Sequence, residues 1–283
     1  MKYRRKLINA LVIIVNNLIL IAIALYFIAP MIWLWVSAFR INPSFKVEFN
    51  NWSLENFITI FYHKKTATWI RNSIIIALST SVLVTCLASL AAYPMARLEF
   101  KGKMLLHTLM ILSMTIPLSS VLVPTYSLIR ALKLENTLLG VILVCTGRAM
   151  PMAIWIMREF IRTIPREIEE AAWIDGCGRI MTLIRIVLPL AAPGLAVVAL
   201  TSFVGAWGEF LVPLIVISSD ELKPISLGLY DACLEHTRAW GYVTIDYGLL
   251  AAIAIVYVIV PTIVYVILGK YLVRGMVIGA LKR

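Results

Sequence analysis

Six apolar stretches recur along the chain, at about residues 7–39, 69–93, 105–128, 137–157, 189–217 and 247–271, each closed by polar or basic residues. A helix needs about 20 predominantly apolar residues to cross the hydrocarbon of a bilayer, where only a helix or a closed barrel satisfies its own backbone polar groups. The pattern therefore predicts an all-α integral membrane protein with six transmembrane helices. The first stretch follows Lys2, Arg4, Arg5 and Lys6 and is interrupted only by Asn16, Asn17 and Ser37. It is far longer than the apolar core of a signal peptide, and it reads as an uncleaved first span whose N-terminus lies in the cytoplasm.

Prolines and glycines set expectations for the other spans. The second is expected to stop at Tyr93, before Pro94. The third carries Pro117 and Pro124, which free backbone carbonyls and predict a bent helix packed in the interior of the bundle. Pro189 is expected to open the fifth, and Pro193, Gly194, Gly205, Gly208 and Pro213 to break it. Polar residues over 40–68 and 218–246 are expected to form outer loops. The chain divides accordingly into 1–68, a first helix and outer loop; 69–272, a core of five spans; and 273–283, a cytoplasmic tail.

Composition agrees with membrane residence: 61% of residues are hydrophobic and 14% charged, with a mean hydropathy of +0.91, whereas a soluble domain carries about a quarter charged residues. A net charge of +11 raises the question of nucleic acid. No basic cluster interleaved with stacking aromatics occurs on a polar segment, so that partner is not expected. Instead, sixteen of the 26 lysines and arginines fall on the side taken as cytoplasmic and nine on the other, with Arg148 inside a span. This excess follows the positive-inside rule and predicts that both termini are cytoplasmic. Cys86, Cys145, Cys177 and Cys233 lack metal or redox spacing and are expected as free thiols. His63, His107 and His236 stand apart beside loops, where a solvated side chain is expected.

Between the fourth and fifth spans lies a segment built like a piece of soluble protein. Pro165 suits the first position of a helix, and Glu167, Glu169 and Glu170 suit the positive end of its dipole. Asp175-Gly176-Cys177-Gly178 then favours a sharp turn. From Arg179, the residues Ile180, Leu183, Ile184 and Val187 recur at three- and four-residue spacing and predict a second helix with one apolar side. Such a helix–turn–helix hook either lies on the headgroups or is held by another molecule. Arg148 and Glu209 are charges at membrane depth, which are costly unless they face a partner, a packed interior or water. They read either as a structural pair or as the lining of a path or gate, beside Trp207 and Phe210, whose rings suit the face of a sugar.

Glu170-Ala171-Ala172, then Asp175-Gly176, then Ile186-x-Leu188-Pro189 resembles the cytoplasmic loop of permease subunits of bacterial and archaeal ABC importers, the binding-protein-dependent transport system inner-membrane components. Asn72-Ser73, Ala92 to Arg97, Phe100-Lys101-Gly102, Ile116-Pro117, Ile164 to Glu167 and Ala206 to Phe210 extend the similarity to the maltose/trehalose and oligosaccharide branch. That branch commonly has Trp-Asn-Glu-Phe where this chain has Trp207-Gly208-Glu209-Phe210, so an asparagine contact does not carry over. The resemblance implies an ABC importer type I transmembrane fold and a loop, at about 159–188, that docks on an ATPase dimer. It also implies a second homologous permease, an extracytoplasmic solute-binding protein, and a sugar or oligosaccharide as cargo. The chain's tail from Val273 to Lys282 resembles a family ending that reaches the ATPase interface, with basic anchoring as the alternative.

No phosphate-binding Gly-x4-Gly-Lys-Ser/Thr loop, Gly-x-Ser-x-Gly elbow or His-Glu-x-x-His helix is present. The chain is thus expected to be no enzyme and to bind no cofactor, with ATP and Mg held by the partner ATPases. Two alternatives stand beside this reading: an ion-gradient-driven carrier or channel, and an importer of another small polar solute such as a polyol or glycerol phosphate.

Overall fold

The computed structural model describes residues 2–41, 49–62, 65–231 and 246–280. Expectations placed on His63, Cys233, His236 and the final residues 281–283 fall outside them. Among the described residues the regular elements are helices, apart from one isolated bridge between Arg40 and Trp52. Four are long and apolar enough to cross a membrane, and two further pairs qualify if each bent pair counts as one span. The residues fall into two compact units, Met1–Lys64 with Asp231–Val256, and Lys65–Tyr230 with Tyr257–Arg283.

The first unit holds α1 (Lys2–Ala38), α2 (Glu55–Tyr62) and the start of a long helix, Tyr247–Ala280. The side-chain amide of Asn56 donates to the carbonyls of Ala38 and Arg40, both at 2.9 Å, and so ties α2 to the end of α1. Asp246 caps the long helix, its carboxylate accepting from the backbone N–H of Gly248 at 2.9 Å and Leu249 at 3.0 Å.

The second unit is organised around α3 (Thr66–Arg97), α6 (Leu138–Arg162) and α10 (Ala192–Trp207). Its core joins Val84, Ala88, Ala92 and Tyr93 of α3 to Ala153, Met157 and Ile161 of α6 and Val198 of α10. Small side chains such as Ala88 and Ala92 let spanning helices approach closely. Gly194 permits one such close approach, because a Cβ there would sit 2.6 Å from the Phe160 ring.

Three expectations need correction. α3 does not stop before Pro94 but continues to Arg97, since a proline in a last turn removes one donor while later amides still bond, as Leu98 N–H does to the Pro94 carbonyl at 2.9 Å. The third stretch is two helices, α4 (Lys103–Thr115) and α5 (Leu118–Ala131), bent by 105° at Ile116-Pro117. They are not packed in the interior: α4 has no buried residue and α5 only Ile129, among the described residues. The hydroxyls of Ser113 and Thr115 donate to the carbonyls of Met110 and Leu112, so the end of α4 satisfies itself. Finally, Pro189 does not open the fifth span. It lies within a short helix that bends by 81° against α10, and Pro193 takes the first turn of α10, where its missing N–H costs nothing.

Candidate functional site

The segment after α6 folds as a hook. α7 covers Arg166–Ile174, with Glu167 and Glu169 in its first turn. At its end, Gly176 N–H donates to the Trp173 carbonyl at 3.1 Å and Cys177 N–H to the Ala172 carbonyl at 2.9 Å. These crossed bonds form a Schellman closure, which requires a left-handed residue at the position of Gly176. Gly176 takes φ +88°. The second glycine plays a different part, because Gly178 is extended, at φ −72° and ψ 162°, and leads into α8 (Arg179–Thr182).

Beyond α8 the helix widens into a π-turn over Leu183–Val187 and ends as α9 (Leu188–Leu190). The single apolar side expected here is divided in two. Leu183 and Val187 are buried in the core against α6, while Ile180 and Ile184 are 72% and 54% exposed. The π-turn that begins at Leu183 breaks the 3.6-residue repeat on which a single stripe depends, so Ile180 and Ile184 leave the side on which Leu183 and Val187 are buried. With Trp173, Met181 and Ile174, the last 86% exposed, they leave apolar side chains on the outside of the hook. Of the motif residues, Ala172 is buried, Ile186 and Leu188 are half-buried, and Glu170, Ala171, Asp175, Gly176 and Pro189 are exposed.

The hook is fastened by Glu169, for which the sequence suggested only a place at the positive end of the helix dipole. Glu169 accepts from Arg97 Nε at 2.6 Å and from the Tyr93 hydroxyl at 2.8 Å. The Arg97 and Glu169 side chains are only 8% and 3% exposed. Arg97 also donates to the Ile164 carbonyl at 2.8 Å. A usable signal was present, since Tyr93 and Arg97 are four residues apart and share a face of α3. Nearby, Lys103 Nζ donates to Glu99 at 2.9 Å, and that hydrogen bond, with the lysine's charge, holds the Glu99 carboxyl below the usual range.

Within the apolar part of this unit, Arg148 of α6 donates to Glu209 Oε2. Glu209 sits in the break between α10 and α11 (Leu211–Val216), and its other oxygen accepts from Leu211 N–H at 3.0 Å and Val212 N–H at 3.3 Å. The carboxylate thus satisfies backbone donors that the broken helix frees. A cavity of about 230 Å³ adjoins the pair, lined by Cys145, Met152, Thr201, Ser202 and Gly205 among others. Trp207 and Phe210 do not line it. Trp207 is buried, stacked at 6.0 Å on Phe203, and its indole N–H donates to the Tyr257 carbonyl at 3.0 Å. Phe210 meets Tyr230 edge-on at 5.4 Å.

At the other end of α3, the side-chain amide of buried Asn72 donates to the carbonyls of Glu221 (2.8 Å) and Lys223 (3.1 Å). The Ser73 hydroxyl accepts from Ile225 N–H at 2.8 Å, at the start of α12, which is helical over the described residues 225–231.

Comparison with known proteins places this arrangement. The family model described as "Binding-protein-dependent transport system inner membrane component" matches residues 84–278. A sulfoquinovosyl glycerol transport permease of Agrobacterium fabrum is 32% identical over 89% of this chain and 88% of its own length. A trehalose/maltose transport permease of Thermococcus litoralis is 29% identical over 99% of each chain, and a diacetylchitobiose uptake permease of Streptomyces coelicolor is 29% identical over 90% and 84%. The crystal structure of a bacterial ABC transporter that imports the acidic polysaccharide alginate shares the fold, with a TM-score of 0.77 at 20% identity over 91% of this chain and 95% of that one. A transporter solved with a periplasmic protein carrying an alginate pentasaccharide superposes with a TM-score of 0.64 at 18% identity over 91% and 93%. The chain belongs to the binding-protein-dependent transport system inner membrane components, and is a membrane-embedded permease subunit of an ABC importer rather than an enzyme.

Proposed function

We propose that this chain forms half of a translocation path for a sugar or oligosaccharide, beside a second homologous permease, and that an ATPase dimer drives it by gripping the hook. The observation that carries this reading is the hook's outer surface. It combines exposed Trp173, Ile174, Ile180, Met181 and Ile184 with a glycine-locked corner and a buried ionic anchor at Glu169. Apolar side chains on a charged, rigid corner suit a protein cleft. Glu170, Ala171, Ala172, Asp175, Gly176, Ile186, Leu188 and Pro189 make up the docking loop in this reading.

Counting each bent pair as one span gives six, with both termini in the cytoplasm and the binding protein on the opposite face. ATP and Mg belong to the partner ATPases; this chain's residues position the hook and line the path. Arg148 and Glu209 would border that path, offering a solute one donor and one acceptor group next to the cavity. The saccharide and glycoside cargoes in the names of the relatives support a sugar. The test is uptake of labelled trehalose or maltose by vesicles holding the chain with its partners. ATP-dependent uptake that an uncoupler leaves intact is expected; uptake that persists without ATPases and collapses with an uncoupler would overturn the proposal.

A further inference from the structure

We infer that Glu169, held by Arg97 and Tyr93, is the pin through which displacement of the hook reaches α3, and that α3 carries it to the segment 220–225. The inference rests on the coupling role proposed for the hook.

The geometry separates a pin from a mere weld. A buried ion pair adds little stability over a well-packed apolar pair, and the core beside it, with Leu183, Val187, Met157 and Ile161, is already apolar. What the charges supply is direction. Two donors one turn apart on α3 converge on a single carboxylate of α7, and Arg97 holds the Ile164 carbonyl as well, just before α7 begins. The start of α7 therefore cannot slide along α3 without breaking charge-assisted bonds, whereas apolar contacts would permit it.

The far end of α3 repeats the arrangement. Asn72 and Ser73, both buried, make three bonds to the backbone of Glu221, Lys223 and Ile225. From Asn72 to Arg97 an unbroken helix rises roughly 37 Å at 1.5 Å per residue, about the thickness of a bilayer. α3 is thus a rod with the hook fixed at one end and the 220–225 segment at the other. Because coupling free energy is reciprocal, whatever displaces 220–225 also acts on the hook. Glu169 is a positioning residue in this scheme and does not touch solute.

The experiment compares native protein with Glu169→Gln, Arg97→Gln and the exchanged pair Glu169→Arg with Arg97→Glu, each in the full complex. Each single variant is expected to retain its ATPases and hydrolyse ATP while solute imported per ATP falls by about tenfold or more, and the exchanged pair, which restores the ion pair but not the bonds of Tyr93 and Ile164, is expected to recover part of it. Amide exchange over 166–174, read on the isolated chain, is expected to accelerate in the single variants. An unchanged ratio of solute to ATP, unchanged amide exchange, or loss of the ATPases in step with uptake would overturn the inference. A native chain that brings down no ATPase would instead overturn the parent reading, and the amide exchange would still judge the pin.

Discussion

Gly176 and Gly178 offer a controlled perturbation of the hook, because both have room for a Cβ and only one has a positive φ. A Cβ added at either position meets nothing within 4 Å, so packing is not at stake. Gly176 has φ +88° and Gly178 φ −72°. Alanine at 178 meets no backbone strain and loses only the smaller N-cap preference for glycine, while alanine at 176 costs about 1–2 kcal/mol, the penalty of a left-handed backbone for a residue with a Cβ. That cost lowers the population of the closed corner by a factor of about 5–30. Asparagine at 176 tolerates the conformation better and should lie between the two. Proline at 176 is the extreme case. It fixes φ near −65°, about 150° from the observed value, and deletes the N–H that bonds Trp173, so the corner does not form. All four variants should reach the membrane, since the change is confined to an exposed turn. The assay is ATPase co-purification together with ATP-dependent uptake. The expected order of activity is Gly178→Ala nearest to native, then Gly176→Asn, Gly176→Ala and Gly176→Pro, the last inactive. Equal behaviour of Gly176→Ala and Gly178→Ala, or full uptake by Gly176→Pro, would refute the reasoning.

Three further outcomes follow from the packing. Glu209→Ala removes both the partner of Arg148 and the acceptor for two α11 amides, so it should lower detergent melting stability more than Glu209→Gln, whose carbonyl can still accept; each lost charge-assisted bond is worth about 1.5–3 kcal/mol. Trp207→Phe should cost about 1–3 kcal/mol of stability by orphaning the Tyr257 carbonyl while leaving the KM for solute unchanged; a shift in solute preference would show that Trp207 does touch cargo. Gly194→Ala should destabilise by about 1–3 kcal/mol because its Cβ would lie 2.6 Å from Phe160 Cγ, read as a lower melting temperature in detergent.

Much of the architecture was legible because lipid imposes simple rules on sequence. Apolar length alone marked four spans, and two more if each bent pair counts as one, and Pro117 marked the bend between α4 and α5. The corner at Gly176 was legible from local turn chemistry. What escaped depends on partners distant in sequence. Nothing local distinguishes Glu169 from Glu170; only Arg97, 72 residues earlier, decides which turns inward. The end of α3 was misplaced for the same reason, since the residues around Pro94 are held by their contacts with the hook. Trp207 looked suited to a sugar because an aromatic ring has the same composition whether it packs on Phe203 or on cargo. The interior position expected for the third stretch followed from its prolines, yet of the residues of α4 and α5 only Ile129 is buried.

The central claim, that the hook is a handle for a nucleotide-driven partner, is tested most directly by a photo-reactive side chain placed at Ile174, which is 86% exposed. Cross-links from that position in native membranes to an ATPase subunit, with a yield that changes when ATP is added, are the predicted result; cross-links to lipid alone, whether or not nucleotide is present, would contradict it.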